Sequence, residues 1–108
     1  MTSGEILTRV ARTDRTFELR GALWVGKCLI CNGPIAFDPH DGAGATLEHI
    51  RARSRGGDDS MENLAIVHAR CNSEKGIRWD NRKRRSDADY EPFIRRLIEK
   101  RRSRLRPG

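Results

Sequence analysis

The chain is short of everything that builds a large core or a covalent scaffold. Six of its 108 residues are aromatic, 36% are hydrophobic against 34% charged, and no apolar run extends beyond a few residues. A bilayer span of about 20 apolar residues is excluded, and a domain of this length buries only about two-thirds of its unfolded surface. Cysteine is scarce as well. Three cysteines cannot all pair, two of them stand as Cys28-x-x-Cys31, and no apolar stretch follows Met1. That argues against a secreted disulfide scaffold and for a reducing, cytoplasmic setting. A thin core without disulfides calls for another staple, and a bound metal is one of the standard ones.

Positive charge is plentiful but unevenly placed. Residues 1–74 carry nine Lys/Arg against ten Asp/Glu, whereas residues 75–108 carry thirteen against five, so the net charge of +7 arises in the C-terminal third. A basic tail attracts polyanions, of which nucleic acid is the commonest. On charge alone, a solvated basic end with no ligand is an equal reading.

One domain spans 1–108, with its motifs in 28–76 and a basic helical extension over 77–108. Residues 1–12 show no strong pattern and read as loosely docked. Phe17, Gly21 and Trp24, with Leu19 and Leu23, stand at i, i+4 and i+7 spacings. That predicts a short N-terminal helix capped by Thr13 or Asp14 and ended before Gly26. Residues 35–37 predict a strand, followed by a polar loop in which His40 is solvated. A second strand over 46–50 delivers Glu48 and His49 to opposite faces, or to a strand end. After an exposed loop over 51–60, Asn63 opens the strand Leu64-Ala65-Ile66-Val67, and residues 68–75 predict a helix with Gly76 near its end. Strand, long loop, strand and helix make a ββα unit. Tyr90, Phe93, Ile94, Leu97 and Ile98 then predict an amphipathic helix behind Asp87 and Asp89, with Pro92 in its first turn. Its outer face, Arg95, Arg96, Lys100, Arg101, Arg102 and Arg104, is left for solvent or phosphate.

Two ligand sets separate by chemistry. Cys28, Cys31, His68 and Cys71 form a Cys-x-x-Cys plus His-x-x-Cys pair of knuckles, which suits a closed, structural, tetrahedral zinc. Glu48 and Asn72 offer hard oxygen, and with His49 beside them they suit a divalent ion kept partly open to water and phosphate.

Here the sequence resembles the HNH endonuclease family. The matching residues are Leu47-Glu48-His49-Ile50, Gly56-Gly57 with the acidic residues after it, Asn63-Leu64, and Cys71-Asn72 followed by Lys75-Gly76. The resemblance implies an α+β fold built on a small ββα-metal domain that hydrolyses phosphodiester bonds in DNA. His49 is then the general base, Glu48 and Asn72 hold Mg²⁺, Mn²⁺ or another divalent ion, and Asn63 braces the loop. Glu48 stands where Asp is commoner, Asn72 replaces the third histidine of the family's name, and His68 stands where a fourth cysteine is usual. Arg51, Arg53, Arg55, Lys75, Lys83, Arg84 and Arg85 are the candidate DNA contacts, and backbone contacts of this kind carry little sequence information. The alternative is a zinc-stapled nucleic-acid-binding module that does not cut, an accessory to a phage DNA-packaging or restriction complex, which leaves Glu48, His49, Asn63 and Asn72 unexplained. RNA is a third substrate class, and no stacking platform argues for it. The setting expected is bacterial cytoplasm, reached directly or through a phage; oligomeric state is left open, with a monomer as the default.

Overall fold

Leu64–Val67 forms a strand, β5, whose four side chains are all buried. Alternate residues of a strand face opposite ways, so β5 divides the interior in two. Leu64 and Ile66 join a cluster with Leu7, Val10, Phe17, Trp24 and Phe37. Ala65 and Val67 join Leu29, Ile50, Tyr90, Ile94 and Leu97 on the other side.

The computed structural model describes residues 2–107. Among these residues the fold comprises three α-helices and two antiparallel sheets, one of which contains β5. Helix α1 is Ser3–Thr13, strands β1, β2 and β3 are Glu18–Arg20, Leu23–Lys27 and Pro34–Phe37, and β4 is Thr46–His49. Helix α2 (Ala69–Lys75) follows β5 and runs into a π-turn at Gly76–Asp80, and α3 is Asp87–Arg104. Strands β1-β2-β3 form one sheet, and β4 pairs with β5 in the other, with Glu48 opposite Ala65 and His49 opposite Leu64. The β4–β5–α2 succession is the ββα unit that the sequence predicts, and α1 packs on its β4–β5 face. No helix among the described residues is long and apolar enough to cross a membrane.

The N-terminal region differs from its expected form. The helix lies at Ser3–Thr13, not between Asp14 and Gly26. Thr2 caps it by accepting from the Glu5 N–H at 3.1 Å, and Thr2 with Glu5 is the T-x-x-E spacing of a capping box. Leu7, Val10 and Ala11 fill its buried stripe. Residues 14–26 instead form the β1–β2 hairpin, closed at Gly21 with φ +58° and with Arg20 opposite Leu23. Phe17 and Trp24 are both buried, which satisfies their spacing equally well, but β1 between them is exposed along its length. Gly26 lies so close under the Phe17 ring that a Cβ there would approach it to 2.4 Å.

Helix α3 begins behind Ser86, whose hydroxyl accepts from the Asp89 N–H, and it buries Tyr90, Ile94 and Leu97. Its outer face is not wholly free. Arg101 is fully buried, donating to the Leu64 carbonyl and to Thr13 Oγ1, and Arg104 is buried against the Lys27 carbonyl and the Asn32 side chain. These arginines hold the C-terminal helix to strand and turn backbone, so they are not available to phosphate.

Candidate metal centre and the cleft beside it

The two knuckles meet. Ligand atoms of Cys28, Cys31, His68 and Cys71 all lie within 4.8 Å of one another, and His68 Nδ1 is 3.3 Å from Cys31 Sγ and 3.8 Å from Cys71 Sγ. A tetrahedral zinc with bonds of about 2.0 to 2.3 Å has ligand edges of about 3.5 Å. His68 Nε2 lies 3.0 Å from the Pro34 carbonyl, an acceptor that fixes the proton on Nε2 and leaves Nδ1 unprotonated toward the thiols. The Gly33 N–H donates to Cys31 Sγ and pulls that thiol down to about 6. Burial, then the neighbouring Cys28, pushes Cys71 up to about 12. Such crowding of thiols is relieved when a cation takes them all as thiolates. The four residues fit a structural zinc.

The second ligand set is built differently. Strand β4 ends at His49 and turns Glu48 inward, toward α2, where it is buried. Lys75 Nζ, also buried, lies 3.6 Å from Glu48 Oε2, too long for a hydrogen bond, and that oxygen has no hydrogen-bond partner. Lys75 is held instead by both Asp80 oxygens at 2.9 Å and by the His49 carbonyl at 3.3 Å. The π-turn explains this pairing, because hydrogen bonding from i to i+5 widens the helix and brings residues five apart onto one side. Burial pushes the Glu48 carboxyl up to about 7, with Lys75 opposing and Asp80 adding to the effect. Asn72, half-buried on α2, makes no side-chain hydrogen bond among the described residues. A buried carboxylate oxygen without a partner and an unengaged amide on the adjoining helix fit a hard divalent ion.

Loop 50–63 is fixed at both ends by Asn63. Its Oδ1 accepts from the Arg51 N–H at 2.8 Å, and its amide donates to the carbonyls of Arg51 and Asp58. Gly56 turns the loop at φ +85°, and a Cβ at Gly57 would come within 1.8 Å of the Arg51 carbonyl. From α3, the Tyr90 hydroxyl accepts from the Ala52 N–H and donates to Asp80, while Glu91 grips Arg51 through both its oxygens.

His49 faces the opposite way from Glu48, toward α1. It opens on a cleft of about 270 Å³ whose walls include Ile6 and Arg9 of α1, Leu47, Arg53, Asp59 and Met61. One Asp59 oxygen lies 2.8 Å from His49 Nε2 and 2.9 Å from Arg53 Nη2. These two contacts, His49 first, hold the Asp59 carboxyl below the usual range. The structure therefore separates Glu48 from His49 across the strand rather than joining them in one cluster.

Among the seven cations nominated for nucleic acid, the structure divides sharply. Arg55 is buried, donating to the carbonyls of Trp79, Asp80 and Arg85 and to Asp87, and stacks over Tyr90. Lys75 is buried with its two carboxylates. Both are corrections: an interior cation with its donors consumed cannot meet a phosphate. Arg51 is tied to Glu91, and Arg53 to Asp59. Lys83 and Arg84 are exposed, and half-buried Arg85 lies over Trp79, which stacks in turn on Phe93. Sequence reasoning missed Arg9, Asp59, Asp80 and Tyr90 as neighbours of the site. Only the five-residue spacing of Lys75 and Asp80 was there to be noticed.

A family model described as HNH endonuclease matches residues 28–78. Comparison with the curated proteins and with the solved structures found no match.

Proposed function

We propose that this chain, whose residues 28–78 belong to the HNH endonuclease family, is a metal-dependent endonuclease that hydrolyses phosphodiester bonds in DNA. The observation that carries the reading is the pairing of a buried, unpartnered carboxylate oxygen on Glu48 with an imidazole on the next residue that opens on a cleft.

Glu48 and Asn72 would hold the divalent ion, which when bound neutralises charge developing on the scissile phosphate. His49 takes the proton of the attacking water at Nε2, the ring atom that faces the cleft, once the Asp59 contact yields. A neutral imidazole keeps a lone pair on one ring nitrogen and can accept that proton. Asn63 keeps His49 aimed by fixing the chain on both sides of the loop that follows it. Lys75 donates to the His49 carbonyl and places its charge beside Glu48 without bonding it, and so acts by positioning. Zinc on Cys28, Cys31, His68 and Cys71 ties the start of the motif to α2. The folded unit extends beyond the matched segment to α1 and α3, which close its two cores. Exposed cations of the C-terminal third, Lys83 and Arg84 among them, would grip the DNA backbone.

The reading that this is a non-cutting binding module draws support from Lys75, whose ammonium already supplies a positive charge beside Glu48. A plasmid-cleavage assay with Mg²⁺, Mn²⁺ or chelator separates the two. The parent is expected to cut with the ion and not with chelator. His49→Ala is expected to lose at least about a hundredfold in rate, as for removal of a general base, with an unchanged melting temperature. Cutting by His49→Ala at the parent's rate would sink the assignment of the base, and no cutting by the parent with either ion would leave the binding module.

A further inference from the structure

We propose that Arg9 and Arg53 form a phosphate-oxygen subsite in the His49 cleft, and that the Asp59 carboxylate fills it in the free protein and gives way to a DNA phosphate. The proposal rests on the nuclease reading for its substrate, but its geometry stands separately.

A carboxylate oxygen lies 2.8 Å from His49 Nε2 and 2.9 Å from Arg53 Nη2. A non-bridging phosphate oxygen has the same charge and accepts from the same donors, and a guanidinium binds either group with its planar fork. The pocket that accepts Asp59 is therefore already an anion site beside the candidate base. Asp59 is suited to leave it, since its side chain is 69% exposed, and an ion pair in contact with water is weakly held. Its neighbour Asp58 has a different duty: it accepts from the Ser60 N–H and hydroxyl, and its carbonyl accepts from Asn63. Turn and brace are thus built by Asp58, and Asp59 is left over to reach into the cleft.

Arg9 comes from α1, outside the segment that the family model matches. It is exposed, lines the same cleft as His49, and takes part in no ion pair or side-chain hydrogen bond among the described residues. With Asp59 bound, the cleft holds two guanidiniums and one carboxylate. Entry of a phosphate in place of Asp59 keeps that balance, takes over the Arg53 contact, and adds Arg9 to the grip.

The test is binding of a fluorescent duplex oligonucleotide to the zinc-loaded chain without added Mg²⁺ or Mn²⁺, followed by anisotropy across a salt series and paired with cleavage in Mn²⁺. Arg9→Ala is expected to weaken binding about fivefold, the scale of one exposed charge contact. It should also lower the slope of log K against log salt by about one. Asp59→Asn is expected to tighten binding by roughly two- to fivefold on the same scale, and both variants should melt with the parent. Parent-like affinity and slope in Arg9→Ala would overturn the subsite, as would a parent that does not bind duplex. So would Asp59→Asn that leaves binding unchanged and lowers only turnover, because Asp59 would then orient His49 rather than stand in for phosphate. A parent that binds, with both variants shifted as expected, but never cuts would remove the nuclease reading and leave the subsite in place.

Discussion

At the scale of single residues, Glu48 is the position where stability and activity pull apart. Its carboxyl is buried, one oxygen is unpartnered, and its value is raised to about 7 from an ordinary 4.5. A group whose folded value lies above its unfolded one favours folding fully below the unfolded value, and that contribution is lost as pH rises through the folded one. Without the divalent ion, Glu48 therefore destabilises the fold progressively from about pH 4.5 to about pH 7. Glu48→Gln is expected to abolish ion-dependent cutting. Its melting temperature relative to the parent should rise between about pH 4.5 and about pH 7 in the absence of the ion and level off above. Parallel melting curves for the two proteins across that range would show that Glu48 is not held protonated by burial.

At the scale of elements, α3 acts as the clasp of the loop that follows His49. Tyr90 meets the Ala52 N–H and Asp80, Glu91 meets Arg51, and Asp87 meets Arg55. An element outside the matched segment thus fixes the geometry inside it, and the π-turn at Gly76–Asp80 supplies the shared partner, Asp80. Tyr90→Phe keeps the ring in its core and removes only the hydroxyl. It leaves the half-buried Ala52 N–H without its acceptor, which costs about 1 kcal/mol. A lower denaturation midpoint at unchanged m is the expected result; an unchanged midpoint would mean that the loop holds itself. The helical extension was legible because Tyr90, Ile94 and Leu97 repeat at a helix's own period. Helix α1 leaves little trace in the sequence, since its stripe is only Leu7, Val10 and Ala11 and its one local signal is the cap, Thr2 with Glu5.

For the whole molecule, the four-ligand knuckle lies at the edge of one of the two small cores, to which Cys28 and Cys71 belong, while buried Arg101 ties α3 to the Leu64 carbonyl and to Thr13. Structural zinc contributes on the order of 10 kcal/mol to folding in small domains, as much as the entire stability of an ordinary protein. Cys71→Ser should therefore lose the bound zinc, expected at one ion per chain, and lose cooperative melting with it. A variant that melts like the parent by calorimetry would remove zinc from the account of stability. The charge of the C-terminal third is also redistributed by the fold. Of its thirteen Lys and Arg, only Arg78, Lys83, Arg84, Arg95 and Arg96 are exposed and take part in no side-chain hydrogen bond or ion pair among the described residues. Net charge therefore overstates the DNA-facing surface.

The sequence by itself determined the ββα order, the buried strand Leu64–Val67, helix α3 and the Cys28, Cys31, His68 and Cys71 set, because each of these is written in a local period or spacing. Tertiary structure alone decided which polar residues face which site. Arg55, Arg101 and Arg104 read as free cations, yet their donors meet carbonyls 24 or more residues away. Arg9 reads as part of a loose N-terminus, yet it lines the cleft of His49. Pairings between residues far apart in the chain leave no period in the sequence, so the composition shows the charge while the fold alone shows what it is for.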